Sequence, residues 1–376
     1  MKILKKLIQI FSLVIFLTQN STASDLQDVN FTFDQKKNAA AKDAFHFFRS
    51  YVDYFYLIVA ANKSNIVTFD NVSSFTGWCV GDAHLENFGF LVQKNNTSLF
   101  TMNDMDDFGP CPVIYDLYRL MVSSQLYDKD INLDRILKSY LSGFNSEKVL
   151  MPNQLTILLN ESKKNGAQLN SKKIVSGKIV RDAKMTEVDL NTKNEILAVL
   201  TNAHLGFSES LNILDLVMTS KVGGGSGGLM RYEILIDDNS KMTHLELKEQ
   251  VKPSVYPVAT DPIPDTELRI QKAIQVEQGE SALPIYASVK INNLHMIVRP
   301  HYTGNIGVNL DDNSSVVNEE IIAYEAYTLG QIHSRSIKQS DQYQKVFKNS
   351  NTTDLKNDTQ SMVNLFNQVY EKIKNQ

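Results

Sequence analysis

The chain has 376 residues and a formal charge of -4, with 38 Lys and Arg against 42 Asp and Glu, so it lacks the basic footprint of a nucleic-acid-binding protein. Its length exceeds the roughly 250–300 residues at which single cores usually divide, which predicts two lobes. Only two cysteines are present, which excludes a dense disulfide framework.

Residues 1–24 have the layout of a secretory signal peptide: Lys2, Lys5 and Lys6, an apolar run from Leu7 to Leu17, then Ser21-Thr22-Ala23-Ser24. The run is well short of the ~20 apolar residues of a spanning helix. Cleavage near Ala23 or Ser24 and export to the periplasm or medium are expected, with no transmembrane segment left after removal. Losing three Lys and no acid takes the formal charge from -4 to -7.

Next, residues 36–61 read as a helix with an aromatic core stripe at Phe45, Phe48, Val52, Tyr56 and Val59. Short strands follow at Trp78–Val80, Phe88–Val92 and Leu99–Met102, then a helix over Val113–Leu126. Residues 131–216 read as mainly helical, with a polar, Lys-rich interruption near 162–188. The cluster Gly223-Gly224-Gly225-Ser226-Gly227-Gly228 precedes a hairpin, Met230–Ile236 and Thr243–Lys248, turning at Asp237-Asp238-Asn239-Ser240. A helix over Asp265–Gln278, two strands joined at Asn292-Asn293, and helices near 317–336 and 354–374 complete the chain.

Two acidic loops carry the sharpest signal. Asp82 and Asn87 in Gly81-Asp82-Ala83-His84-Leu85-Glu86-Asn87 have the D-x-x-x-x-N spacing of a kinase catalytic loop, and Asp104 follows one hairpin later. Phosphoryl transfer needs a carboxylate at the acceptor hydroxyl, and a second carboxylate with an amide oxygen to hold Mg²⁺ against phosphate. These roles fall to Asp82 as base and to Asn87 and Asp104 as Mg²⁺ ligands, with Asp106 as second-choice ligand. Glycines let backbone amides approach phosphate. Gly223, Gly224, Gly225, Ser226 and Gly227 would therefore cover the phosphates of ATP, and Lys248, from the second hairpin strand, would clamp them. A carboxylate of the next helix should hold that lysine, with Glu277 preferred over Glu267. His84 and Asp116 read as residues that hold the loop and the following helix in place. Cys79 and Cys111 flank the two acidic loops and should be neighbours, either as one bridge or as two buried thiols.

These residues resemble a bacterial family, "domain of unknown function 2252", related to the aminoglycoside phosphotransferase and protein-kinase superfamily. The resemblance rests on Gly81–Gly89, Asn103–Asp107, Gly109-Pro110 with Asp116–Leu120, and Gly223–Gly228 with Arg231-Tyr232. It continues through Leu247-Lys248-Glu249, Val298-Arg299, and Leu329-Gly330 with His333-Ser334-Arg335. Met105 departs from the family's usual Phe, and the helix after Asp265 departs from its pattern. The resemblance implies an α+β, two-lobed, protein-kinase-like fold, circularly permuted because Asp82 and Asp104 precede the glycine cluster. Residues 25–216 would form a helical catalytic lobe, 217–300 a smaller β-rich nucleotide lobe, and 301–376 helices completing the first. The implied activity is phosphotransfer from ATP with Mg²⁺ to an unknown acceptor, a small molecule or a protein. Two rival readings are a non-catalytic kinase-like binding module and a metal-dependent phosphatase built on Asp82 and His84. The phosphatase needs no ATP, which is scarce outside the cytoplasm, but His204, His244, His295, His301 and His333 form no ligand-like cluster in sequence.

Overall fold

The computed structural model describes residues 42–61, 72–202, 205–220, 228–311 and 313–374. The expected signal segment 1–24 and the cluster from Gly223 to Gly227 lie outside the described residues.

The chain is mixed α+β, as expected. The first helical stretch is two helices, α1 (Ala44–Ser50) and α2 (Val52–Ala61), because Tyr51 leaves the helical region at φ -118, ψ 63. Asp43 caps α1 by accepting the His46 N–H at 2.8 Å. The break lets Phe48 meet Phe55 edge-on at 5.7 Å and Phe366 of the last helix at 4.8 Å. Strands β1 (Thr76–Cys79), β2 (Phe88–Val92), β3 (Ser98–Met102) and β4 (Gly109–Pro112) follow, and β1 pairs with β4 while β2 pairs with β3. Helix α3 (Ile114–Tyr127) is buried from Ile114 to Ser124, and α4 (Leu133–Phe144) and α5 (Asn153–Asn165) come next.

The polar interruption holds β5 (Ile174–Val175), β6 (Lys178–Ile179) and β7 (Met185–Glu187), followed by α6 (Leu190–Asn202). Residues 212–216, expected to be helical, instead begin strand β8 (Asn212–Ser220). Apolar Ile213, Leu216 and Val217 fit either period, and pairing with the next strand decides between them. Beyond the glycine cluster lie β9 (Met230–Asp238), β10 (Lys241–Glu249), α7 (Thr266–Glu277), β11 (Ala287–Ile291) and β12 (Leu294–Pro300). The order β11-β12-β10-β9-β8-β7 makes one six-stranded sheet of antiparallel pairs. Its two-residue turns, Asn239-Ser240 (φ 52 and 67) and Asn292-Asn293 (φ 48 and 64), have the doubly positive φ of type I′ hairpins. Strand β13 (Ile306–Gly307) adds to β2, and α8 (Ser315–Ser336), α9 (Ser340–Asn349) and α10 (Thr352–Lys374) close the chain.

One apolar core runs from α1 to α10 and takes in one face of the six-stranded sheet. A smaller group, Ile179, Val217 and Leu235, packs on the opposite face. Helices α4 and α8 meet backbone to backbone: a Cβ on Gly330 would lie 2.1 Å from the Tyr140 carbonyl oxygen.

Candidate functional site

The two acidic loops touch. Gly81 has φ +83, and a Cβ there would lie 2.1 Å from the carbonyl oxygen of Asp107, so only glycine fits. A disulfide between Cys79 and Cys111, with Cα atoms 5.7 Å apart, ties together the strands that flank the loops. The cysteines are thus neighbours, as expected, and the choice left open between bridge and thiols falls to the bridge. It is fully buried at both ends.

One face of α3 holds the first loop along its length. Asp116 accepts the N–H groups of Val80 (2.7 Å) and Gly81 (3.0 Å), Arg119 donates to Asp82 Oδ1 (2.7 and 3.1 Å), and Ser123 Oγ accepts the Leu85 N–H (3.1 Å). Asp116 also meets His333 Nε2 at 3.0 Å, and His333 Nδ1 meets the Tyr140 hydroxyl at 2.9 Å, so α3 is tied to α8 and α4. Burial works against ionisation of Asp82, but His84 and Arg119 outweigh it and hold this carboxyl well below its usual range. Asn87 donates to the Asp82 carbonyl at 2.9 Å, and its own carbonyl accepts the Asn103 N–H at 2.9 Å, which puts it beside the second loop.

Lys248 projects from β10 onto that second loop. Its ammonium lies 2.6 Å from Asp104 Oδ2 and also contacts the Asp106 carboxylate. Burial opposes charge on Asp104, but Lys248 and Arg299 prevail and hold it well below the carboxylate range. Asp106 is pushed up by burial and by the Asp104 charge. Asp107 is raised to about 6 by burial and by the charge of Asp82.

Lys248 does not take the expected partner. The Glu277 carboxylate is fully buried, neither oxygen has a hydrogen-bond partner, and burial pushes its pKa well above the usual value. The helix α7 instead reaches the loop through Arg269. This fully buried side chain donates to the carbonyls of Asp106 (2.7 Å), Met105 (3.3 Å) and Phe108 (3.3 Å) and to Gln250 Oε1 (3.0 Å). Gln250 in turn donates to Asp106 Oδ1 at 2.8 Å. Glu277 lies more than two helical turns further on, where its carbonyl accepts from Thr101 (3.0 Å) and Arg335 (3.3 Å).

Asp82, Asn87, Asp104, Asp106 and Lys248 are therefore brought together, while Glu277 is buried beside them without engaging the lysine. No group of three or more His, Cys, Asp or Glu among the described residues is arranged to hold a metal ion. Any cation here would rely on Asp104, Asp106 and the Asn87 amide.

Sequence reading gave no role to Arg119, Arg269 or the cluster around Glu246, where Arg231 (2.9 Å) and Arg299 (2.7 Å) converge on one buried carboxylate. Arg119 left a faint signal: Asp116, Arg119 and Ser123 are polar at i, i+3 and i+7 in the stretch 114–123, whose other residues are aliphatic, Met or Tyr.

Residues 30–138 match a family model described as "Uncharacterized protein conserved in bacteria (DUF2252)". That span includes both acidic loops, Asp116 and Arg119, and ends well before Lys248. No curated protein and no solved structure matches the chain.

Proposed function

We propose that the chain is a kinase-like phosphotransferase that uses ATP with Mg²⁺ and passes a phosphoryl group to an acceptor hydroxyl. The observation that carries this reading is the Lys248–Asp104 contact of 2.6 Å. It joins the strand after the glycine cluster to the loop after the Asp82–Asn87 motif. The order of glycine-rich segment, strand, lysine-bearing strand and helix is that of the kinase nucleotide lobe, and base, hairpin and metal-binding Asp follow the order of its catalytic lobe. With the halves in reverse sequence order, this supports a circular permutation and two lobes divided near residues 217 and 300.

Asp104 Oδ1 is a buried oxygen that accepts no hydrogen bond, and Mg²⁺ is commonly bound by one or two carboxylates together with substrate phosphates. Asp104, Asp106 and Asn87 therefore fit such an ion, which when bound offsets phosphate charge. Lys248 pairs with phosphate oxygens, and the Gly223–Gly227 segment covers them. Asp82, kept ionised by Arg119 and His84, orients the acceptor hydroxyl and takes its proton. The buried disulfide and the signal-like start support export. A specific observation favours the binding-module alternative, since Arg119 already occupies Asp82 Oδ1. Thermal melting with and without ATP and Mg²⁺ separates binding from no binding, and [γ-³²P]ATP turnover separates transferase from module. A midpoint unmoved by ATP with Mg²⁺ would sink the nucleotide reading.

A further inference from the structure

We infer that the donor is recognised through its phosphates, without a pocket that selects the base. This rests on the phosphotransfer reading and narrows it to a substrate class: nucleoside triphosphates of any base, and inorganic tripolyphosphate.

Side chains of β9, β10 and β12 alternate between two faces of the sheet. Directly paired residues share a face, and the pairs Lys248↔Arg231, Glu246↔Glu233 and Glu246↔Arg299 put five charged side chains on the face that carries Lys248 to Asp104. Tyr232, Ile234, Leu245, Leu247 and Val298 alternate onto the opposite, core side. Two residues before Lys248 on its own face stands Glu246, 4 % exposed. Arg231 (2.9 Å), Arg299 (2.7 Å) and His301 (3.4 Å) surround its carboxylate. Beyond it, His244 stacks on His301 at 4.9 Å and meets Glu233 at 3.1 Å.

A slot for a purine needs apolar or aromatic walls. A base laid flat on this face beside Lys248 would instead strip water from a fixed ionic network, and its ring face would replace none of the hydrogen bonds lost. The apolar members of the same face are Ile297, 2 % exposed opposite Lys248, Leu235, covered with Ile179 and Val217, and Met242, six residues from Lys248 beside Asp237 at the hairpin end. Arginine and lysine read phosphate oxygens well, and Arg299, 23 % exposed at its side chain, stands 3.8 Å from Asp104 at the mouth of this arrangement. Three cations (Lys248, Arg231, Arg299) face four carboxylates (Asp104, Asp106, Glu246, Glu233). The cations leave no surplus positive charge, so a polyphosphate should enter together with its own Mg²⁺.

The test is thermal melting and calorimetric titration of the full chain with Mg²⁺ and, in turn, ATP, GTP, CTP, UTP and inorganic tripolyphosphate, with adenosine as the base-only control. The expected result is five affinities within about threefold of one another and no shift with adenosine. If ATP binds and tripolyphosphate does not, the inference is overturned and the phosphotransfer reading survives. Binding by none of them overturns both. R299Q, checked for native folding by circular dichroism, should weaken ATP and tripolyphosphate by the same factor, and a loss confined to ATP would also count against the inference.

Discussion

The Lys248 ammonium lies 2.6 Å from the carboxylate of Asp104, a residue 144 positions earlier in the chain. Every other part of the candidate site is arranged around that contact: β10 supplies the lysine, the β2–β3 hairpin delivers the aspartate, and α7 holds the loop from behind.

Breaking the contact should destabilise as well as inactivate. Lys248→Met leaves Asp104 and Asp106 facing one another, and loss of one partner of a buried ion pair typically costs about 3 kcal/mol or more. Urea unfolding should show this. Asp104→Asn should cost less, because Asp106 still meets the lysine, yet it should abolish Mg²⁺-dependent nucleotide binding.

The two loops should fail differently. Asp82→Asn keeps an acceptor for Arg119 and is expected to leave nucleotide affinity within about twofold while lowering turnover at least about 100-fold, the usual scale for a lost general base. Asp82→Ala is the poorer probe, because it strands the fully buried Arg119. Turnover unaffected by Asp82→Asn would remove Asp82 from the role of base.

Arg269 is expected to position the loop that carries Asp104 and Asp106. Arg269→Gln removes donors from three backbone carbonyls, so amide hydrogen exchange across residues 104–108 should speed up before global unfolding does. Stability should drop by about 2–4 kcal/mol, as for other buried networks. Unchanged exchange in that segment would assign the side chain to packing alone.

The disulfide closes a loop with a sequence separation of 32 residues that contains both acidic motifs. Cys79→Ser with Cys111→Ser should lose about 3–4 kcal/mol on the chain-entropy model. Intact mass before and after reduction, followed by thermal melting, checks both the bond and its effect. A mass unaltered by reductant would show free thiols.

Asp107 gives a pH dependence of definite sign. Its folded pKa is raised from 3.8 to about 6, so between those values the folded state holds more proton than the unfolded one. Its contribution to stability is intact below pH ~4 and is lost as pH rises through about 6. Asp107→Asn, which keeps an acceptor for the Ser254 N–H, should match the parent near pH 4 and be more stable at pH 8, by at most about 3 kcal/mol. Parallel stability curves over that range would rule out the raised value. Asp82 and Asp104 act in the opposite sense, adding stability above their unfolded values that is lost as pH falls.

Local periodicity and turn chemistry determined much of this protein before any fold was known. The β9–β10 and β11–β12 hairpins, α3, α7, and the D-x-x-x-x-N loop are all set by residues within one element of each other. Their signals therefore lie in short windows of sequence. The expected convergence of the acidic loops came from the chemical requirement of the proposed Mg²⁺ site, and the expected Cys79–Cys111 proximity came from that. Tertiary structure alone decided the rest. Residues 212–216 became a strand because a neighbouring strand was there to pair with, and the break at Tyr51 accompanies the packing of Phe48 on Phe366 of α10. Lys248 chose Asp104 and Asp106 over Glu277 because α7 meets the loop with Arg269, a matter of helix placement that no spacing encodes. Arg119 and the charges around Glu246 have meaning only once desolvated side by side, where an unpaired charge costs several kcal/mol and each must find its opposite.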